Sequence, residues 1–527
     1  MRPKLRETWE VRKPLVRSAG GVVSSQHYLA SEAGARVLAE GGNAVDAAVT
    51  AGLALGTVEP WMSGLGGCGQ MIVRLAREPR AWSVDFGLVA SRSLDPADYP
   101  LEEGRGSDLF HWPAVEGDRN VMGPLSIAVP TYAAGVAAAL ERFGTRSWAE
   151  CLAPAIELAE RGLDADWYAT LKIASTAAHL ARDEEARRVF LPGGFPPCSE
   201  WSGPPPRLRL GKLAQTLRRL GEAGPRDFYE GAIARSLVAD ARRLGARIEP
   251  EDLAGVEVRI RESLAVGYAG ATVRAAPGLT GGPSLERTLG LLSERRAAAA
   301  HAWPGSESDL AVAYADALST AYAERLAAAG HDAEAAMPAC TTHLSVVDRD
   351  GNLVALTQTL LSLFGSRVMF PGTGVLMNNG VMWFDPRPGR PNSIAAGRRP
   401  MSNMCPVVVE RSGGERFALG ASGGRRIMPA VMQLVSFLTD LGLDLEAAFH
   451  APRIDASGAD FVTVDPRFAP EVAAALGERH VVEVWPNAVY PAMYACPNAA
   501  GALPDGDRVG AAYVMSPWAL AAPVEPK

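Results

Sequence analysis

The sequence predicts an α/β protein built as a four-layer α/β/β/α sandwich. Three observations point there. Alanine-rich stretches of helical period bracket β-rich segments, and the strand-like runs come from both ends of the chain. A length of 527 residues also exceeds what one simple core can use, so two domains, or one large layered domain woven from two segments, are expected. Hydrophobic residues at 48% and charged residues at 21% match globular averages, which argues against a disordered or fibrous chain.

From Ser31 the chain reads as a helix to Glu40, stops at Gly41-Gly42 and restarts at Asn43, where Asp46 completes a capping-box-like pair. The second helix, Ala44 to Val58, carries Ala, Val and Leu on nearly every side and so belongs in an interior layer. Glycines of the run Ser63 to Gly69 precede the strand-like stretches Gln70 to Leu75 and Trp82 to Phe86. A dinucleotide site needs strand, glycine loop and helix in that order, so tight backbone packing is the better reading of this run. Amphipathic helices follow at Tyr132 to Phe143 and Trp148 to Arg161. The stretch Ala177 to Gly224, richer in Arg, Pro and Gly, reads as a surface excursion. Helical period returns at Gly231 to Gly245 and at Ser306 to Gly330.

Beyond about residue 331 the character changes. Cys340 to Thr359 alternates in a β pattern on both sides of Asp348-Arg349-Asp350-Gly351-Asn352, a hairpin signal. If Arg349-Asp350-Gly351 is a three-residue loop, Thr341 faces Thr359 across the two strands. Taken alone, such a pair reads as packing on a half-buried face. Further on, Phe417 to Gly420 reads as a strand that enters a helix, Arg426 to Leu441, through Ala421-Ser422-Gly423-Gly424. Backbone N–H groups at such a turn suit a developing oxyanion, although paired glycines also serve simply to turn a chain.

Several function classes are excluded. A net charge of −7 over this length leaves no basic footprint for nucleic acid. Six cysteines without CxxC spacing argue against a disulfide framework or zinc ribbon, and eight histidines without ligand spacing predict no metal. No cofactor is expected. The basic stretch Met1 to Arg17 lacks the apolar core of a signal peptide, and no apolar run is long enough to span about 30 Å of hydrocarbon. A soluble, cytoplasmic protein without a membrane partner is expected.

Thr341-Thr342-His343-Leu344-Ser345-Val346-Val347-Asp348, followed by Asp350-Gly351-Asn352, closely resembles the small-subunit start of the γ-glutamyltranspeptidase family. The resemblance covers nearly the whole chain, through Ala30-Ser31-Glu32-Ala33-Gly34, Gly41-Gly42-Asn43-Ala44-Val45-Asp46-Ala47-Ala48 and Gly64-Leu65-Gly66-Gly67. It continues in Val129-Pro130, Phe228-Tyr229-Glu230-Gly231, Gly281-Gly282-Pro283, Pro371-Gly372-Thr373-Gly374, Asn378-Asn379, Arg399-Pro400-Met401-Ser402 and Gly423-Gly424. It implies the N-terminal-nucleophile hydrolase fold and self-cleavage between Cys340 and Thr341. The products would be a large subunit, residues 1–340, and a small catalytic one, residues 341–527, intertwined as a heterodimer in one domain. Thr341 would be the nucleophile, its freed α-amine the general base, Thr359 its positioning partner, and Gly423 and Gly424 the oxyanion site.

The chain also departs from that pattern. Where γ-glutamyl-binding members carry an Arg after Asp-Phe, Asp85-Phe86 is followed by Gly87; where they carry an acidic residue beyond Asn378-Asn379, this chain has Trp383. The usual Ser-Ser is Ser402-Asn403, and the usual Asn two beyond the assisting Thr is Leu361. Losing an Arg and a carboxylate partner costs a zwitterionic ligand roughly 1.5–3 kcal/mol for each charged hydrogen bond. The small-molecule amide substrate is therefore expected to carry a non-γ-glutamyl acyl group, with Asn379, Trp383, Ser402 and Asn403 around it and Arg92 or Arg367 available for an acid. The pattern resembles the family's acylase and amidohydrolase branch. A γ-glutamyl hydrolase or transferase with relocated contacts, and an unprocessed scaffold, are the alternatives.

Overall fold

In the computed structural model the described residues are 11–105, 112–299, 303–328, 340–458 and 461–524. Two seven-stranded antiparallel sheets lie face to face. The first runs, edge to edge, Leu520–Pro523, Gly21–Ser25, Cys340–Asp348, Leu353–Leu361, Cys68–Arg74, Trp82–Phe86 and Arg259–Glu262. The second runs Val16–Ser18, Arg508–Ala512, Cys496–Ala502, Arg416–Ser422, Val407–Glu410, Ala271–Ala275 and Leu264–Tyr268. Both sheets interleave strands from before and after residue 340, so neither segment holds a complete sheet.

Small apolar side chains fill the space between the sheets: Val22, Ile72, Val347 and Leu353 from one, Val408, Ala418 and Ala500 from the other. Burial of such residues on both faces removes apolar area from water at about 25 cal/mol per Å² and makes the sheets a rigid frame. Helices Tyr28–Ala39, Ala44–Val58, Tyr132–Phe143 and Trp148–Arg161 cover the first sheet. Helices Gly282–Ala298, Glu307–Ala328 and Ile427–Thr439 cover the second. The four-layer sandwich is the one the sequence predicts. Ala44–Val58 is buried along its length save at Gly56, and its capping box at Asn43 and Asp46 forms as read.

One segment differs. Within Ala177 to Gly224 the structure places the end of helix Trp167–Leu180 and two further helices, Glu184–Phe190 and Leu213–Ala223. Leu213, Leu217 and Leu220 of the last are buried, so the stretch is partly core. Its Arg, Pro and Gly content masks the amphipathic period, because the breakers lie between the helices rather than in them.

The glycine run behaves as backbone packing. A side chain at Gly67 would put its Cβ 2.3 Å from the Thr359 carbonyl oxygen, so only glycine lets this loop close against the Thr359 strand.

Candidate active site

The hairpin forms in the expected register. Asp348 and Asn352 close a three-residue loop, in which Gly351 takes a positive φ of 81°. Thr342 then pairs with Gln358 and His343 with Thr357, and the ladder is interrupted by a bulge between Cys340 and Thr342. Thr341 sits in that bulge, 3% exposed, and its Oγ1 donates to Thr359 Oγ1 at 3.2 Å. Bulges re-aim a side chain and break pairing, and here the break falls at the peptide bond whose cleavage would free Thr341. The side chain of Cys340 lies outside the described residues.

Thr359 is fully buried, and its Oγ1 also accepts the Leu361 N–H at 2.8 Å. Leu361 has a φ of 84°, and Phe364 and Arg367 have φ values of 60° and 63°. Non-glycine residues in this left-handed region cost about 1–3 kcal/mol each and persist where the surroundings over-determine them. The strain starts at the residue that fixes the Thr359 hydroxyl.

The strand Arg416–Ser422 crosses the hairpin from the opposite sheet. A Cβ at Gly420 would fall 2.4 Å from the His343 ring, and one at Gly351 would fall 3.7 Å from Arg416 Nη2. The two strands therefore run in opposite senses, and Gly423 emerges at the Thr341 end. Gly423 has a φ of 134° and Gly424 one of 62°, and they lead through a 3₁₀ turn into Ile427–Thr439. A Cβ at Gly423 would meet Ala495 Cα at 2.9 Å. Backbone N–H groups at such a turn form an anion-binding concavity.

Beneath this end, His343 is buried between Thr357 Oγ1 at 2.9 Å and Ser345 Oγ at 3.0 Å. Burial lowers its pKa to about 3, so it is a neutral, hydrogen-bonded strut.

The positions that depart from the family pattern gather nearby. Leu361, Met382, Trp383, Met401 and Met404 belong to one packed apolar cluster. Trp383 is 3% exposed and Asn403 equally buried; among the described residues the Trp383 indole N–H and both Asn403 amide atoms have no hydrogen-bond partner. Such groups cost about 1–3 kcal/mol when left unsatisfied, which marks them as awaiting a water or a ligand. Asn379 is different. Its amide donates to Val121 O at 2.7 Å and Ser362 Oγ at 2.8 Å and accepts from Ser362 N at 3.0 Å, so it holds the Leu361 turn in place. Ser402 Oγ accepts from Met404 N at 3.2 Å, and its own N–H donates to Leu279 O at 2.7 Å.

Gly87 adjoins a charge pair that the sequence reading missed. Asp85 Oδ1 accepts from Gln70 at 2.6 Å, from Gly87 N at 3.0 Å and from Arg399 Nη1 at 3.2 Å. The Arg399 and Asp85 side chains are both mostly buried. Of the two arginines nominated for an acid, Arg92 lines a large cavity beside this region, whereas Arg367 donates to Val121 O at 2.9 Å and does not line it.

A family model for gamma-glutamyltranspeptidase matches residues 30–340 and 328–512. The chain belongs to the γ-glutamyltranspeptidase family. It is 33% identical to the Acylase ACY 1 proenzyme of Pseudomonas sp. (strain V22), over 95% of this chain and 93% of that protein. The glutathione hydrolase proenzyme of Bacillus subtilis (strain 168) is 29% identical over 82% of this chain and 80% of its own length. Among solved structures, a cephalosporin acylase from Bacillus halodurans superposes with a TM-score of 0.82 at 23% identity, each chain covered in full. That likeness is one of fold. Membership makes this chain an N-terminal-nucleophile amidohydrolase of the γ-glutamyltransferase type.

No group of His, Cys, Asp and Glu among the described residues could hold a metal, and no described helix is long and apolar enough to cross a membrane.

Proposed function

We propose that the chain is an autoprocessing threonine amidohydrolase that hydrolyses an amide of a non-γ-glutamyl acyl group. The observation that carries this is the Thr341 hydroxyl donating to Thr359 at 3.2 Å, at the strand end where the paired glycines emerge. In the first turnover Thr341 Oγ1 attacks the Cys340 carbonyl carbon and the peptide C–N bond breaks. The resulting ester is hydrolysed, leaving a large subunit, 1–340, and a small one, 341–527, held as a heterodimer by their shared sheets.

The freed Thr341 amine, with a pKa near 8, then takes the hydroxyl proton as Oγ1 attacks the substrate carbonyl. Gly423 and Gly424 N–H groups stabilise the oxyanion, worth roughly 3–4 kcal/mol for one such donor. The substrate's C–N bond breaks and its amine leaves with the proton from the Thr341 ammonium; water then attacks the acyl-threonine ester, releasing the acid and restoring the hydroxyl. Leu361, Met382 and Met404 give the acyl group apolar walls, and the unpartnered Trp383 N–H and Asn403 amide offer neutral hydrogen bonds. A zwitterionic γ-glutamyl group would find neither of its charged partners at positions 87 and 383. The greater identity to an acylase proenzyme than to a glutathione hydrolase supports the same choice.

Denaturing electrophoresis tests the reading. Two bands are expected from the purified protein and one intact band from Thr341→Ala. Two bands from that variant sink the proposal, and rapid release of 4-nitroaniline from its γ-glutamyl derivative sinks the substrate assignment.

A further inference from the structure

Beside the apolar cluster opens a cavity of about 840 Å³, within the range of small-molecule sites. Met401 belongs both to its wall and to the cluster that holds Leu361 and Trp383, so it adjoins the acyl pocket. Six arginines line it: Arg92, Arg259, Arg287, Arg325, Arg398 and Arg399. Its acidic residues number three: Asp252, Glu257 and Glu324.

Two of the arginines are neutralised. Arg287 is paired with Glu324 at 2.8 Å, and Arg399 with Asp85. Asp252 spends its carboxylate on Ser91 Oγ, Arg92 N and Glu249 N, none of them a cation, and Glu257 is exposed, its carboxylate in no ion pair among the described residues, so the lining keeps an excess of positive charge. Among the described residues, Arg92, Arg259 and Arg398 make no ion pair or side-chain hydrogen bond. Among the described residues Arg325 bonds only to neutral acceptors: Thr280 O and Ser284 Oγ at 3.0 Å each, Ser402 O at 2.5 Å and Met401 Sδ at 3.2 Å. Burial holds its pKa below the usual guanidinium value. A guanidinium stays ionised at neutral pH, and a charge withdrawn from water without a counter-ion is stabilised by an anion that enters.

Resting on the amidohydrolase reading above, we propose that this cavity binds a carboxylate or similar oxyanion that the substrate carries away from its scissile amide. Arg325 anchors the anion, and Arg92, Arg259 and Arg398 surround it. Arg325 also ties Ser402 to Thr280, so anion binding stiffens the segment that carries Asn403 into the acyl pocket.

Calorimetric titration of the intact Thr341→Ala chain reads the cavity without chemistry. Adipate and benzoate are expected to bind at least about tenfold tighter than adipamide and benzamide, and Arg92→Gln/Arg259→Gln to weaken the acids by about tenfold. Equal affinity for acids and amides, or acid binding indifferent to the double substitution, overturns the proposal. With the processed protein, the 4-nitroanilide of adipic acid is compared with that of its methyl ester, and hexanoyl-4-aminobenzoate with hexanoylanilide. A preference for the anion in the first pair places it on the acyl side, and in the second on the amine side. Hydrolysis without preference in either pair overturns the proposal. Acid binding by Thr341→Ala with no hydrolysis of any amide leaves the anion site standing and removes the amidohydrolase reading.

Discussion

Thr359 Oγ1 accepts from the Thr341 hydroxyl and from the Leu361 N–H, and so holds the Thr341 oxygen in place. Removing that hydroxyl forfeits about 1–3 kcal/mol, or roughly 5–150-fold in rate. Thr359→Ala is expected to slow appearance of the two bands by that factor in a time course, with Thr359→Ser retaining most of the rate. Gly87 is a different kind of residue. A Cβ there would sit 3.3 Å from Asp85 Oδ1, a tight contact that the carboxylate relieves by giving a few tenths of an ångström, and 3.9 Å from Arg399 Nη1, and Gly87 has no positive φ. The backbone does not demand glycine there. Gly87→Ala should unfold within about 0.5 kcal/mol of the parent in urea titrations, whereas Gly87→Arg places a second guanidinium against Arg399 and should cost about 1 kcal/mol or more.

At the scale of elements, the proposed mechanism needs the hairpin and the glycine turn together, one for the nucleophile and the other for the oxyanion donors. The strand Arg416–Ser422 is held over the hairpin by the close approach of Gly420 to His343, and the turn beyond it tolerates no side chain at Gly423. Gly423→Ala meets both a φ of 134° and Ala495, so it must shift the turn. Turnover of the processed protein on its best amide is expected to fall by 10²–10³, roughly the loss of one oxyanion donor, with KM changing far less. The hairpin was legible in the sequence because a three-residue loop with glycine at its positive-φ position sets the register of everything after it. The helices within 177–224 were not, since short amphipathic runs separated by Pro and Gly carry little periodic signal.

For the whole molecule, buried titratable groups set the pH range of stability. His27 and His343 are lowered by burial from 6.5 to about 3, so the folded chain refuses protons that the unfolded chain binds. Their contribution is present above pH 6.5 and is lost as pH falls towards 3. Glu59 is raised by burial from 4.5 to about 8, so its contribution is present below pH 4.5 and is lost as pH rises through 8. Melting curves should show the parent's stability relative to Glu59→Gln falling between pH 5 and 9, on the order of a few kcal/mol. A constant difference would mean that Glu59 is not buried as a neutral acid.

The local chain determined that Thr341 and Thr359 meet. Thr341 and Thr359 stand on one hairpin whose turn fixes their facing, and Gly423-Gly424 announces itself as a strand-to-helix turn, so short-range geometry placed them, while the family resemblance gave them their expected roles. The pocket's changed chemistry was also legible, as Gly87, Leu361, Trp383 and Asn403 standing where charged or polar residues are usual in the family. Only the tertiary structure decided what lies beside those changes. Arg92, Arg259, Arg325 and Arg398 lie on four distant segments, each an unremarkable surface arginine in its own sequence context. They become one basic cavity because the sheets and helices bring those segments together, and its charge stays positive because six arginines line it against three carboxylates.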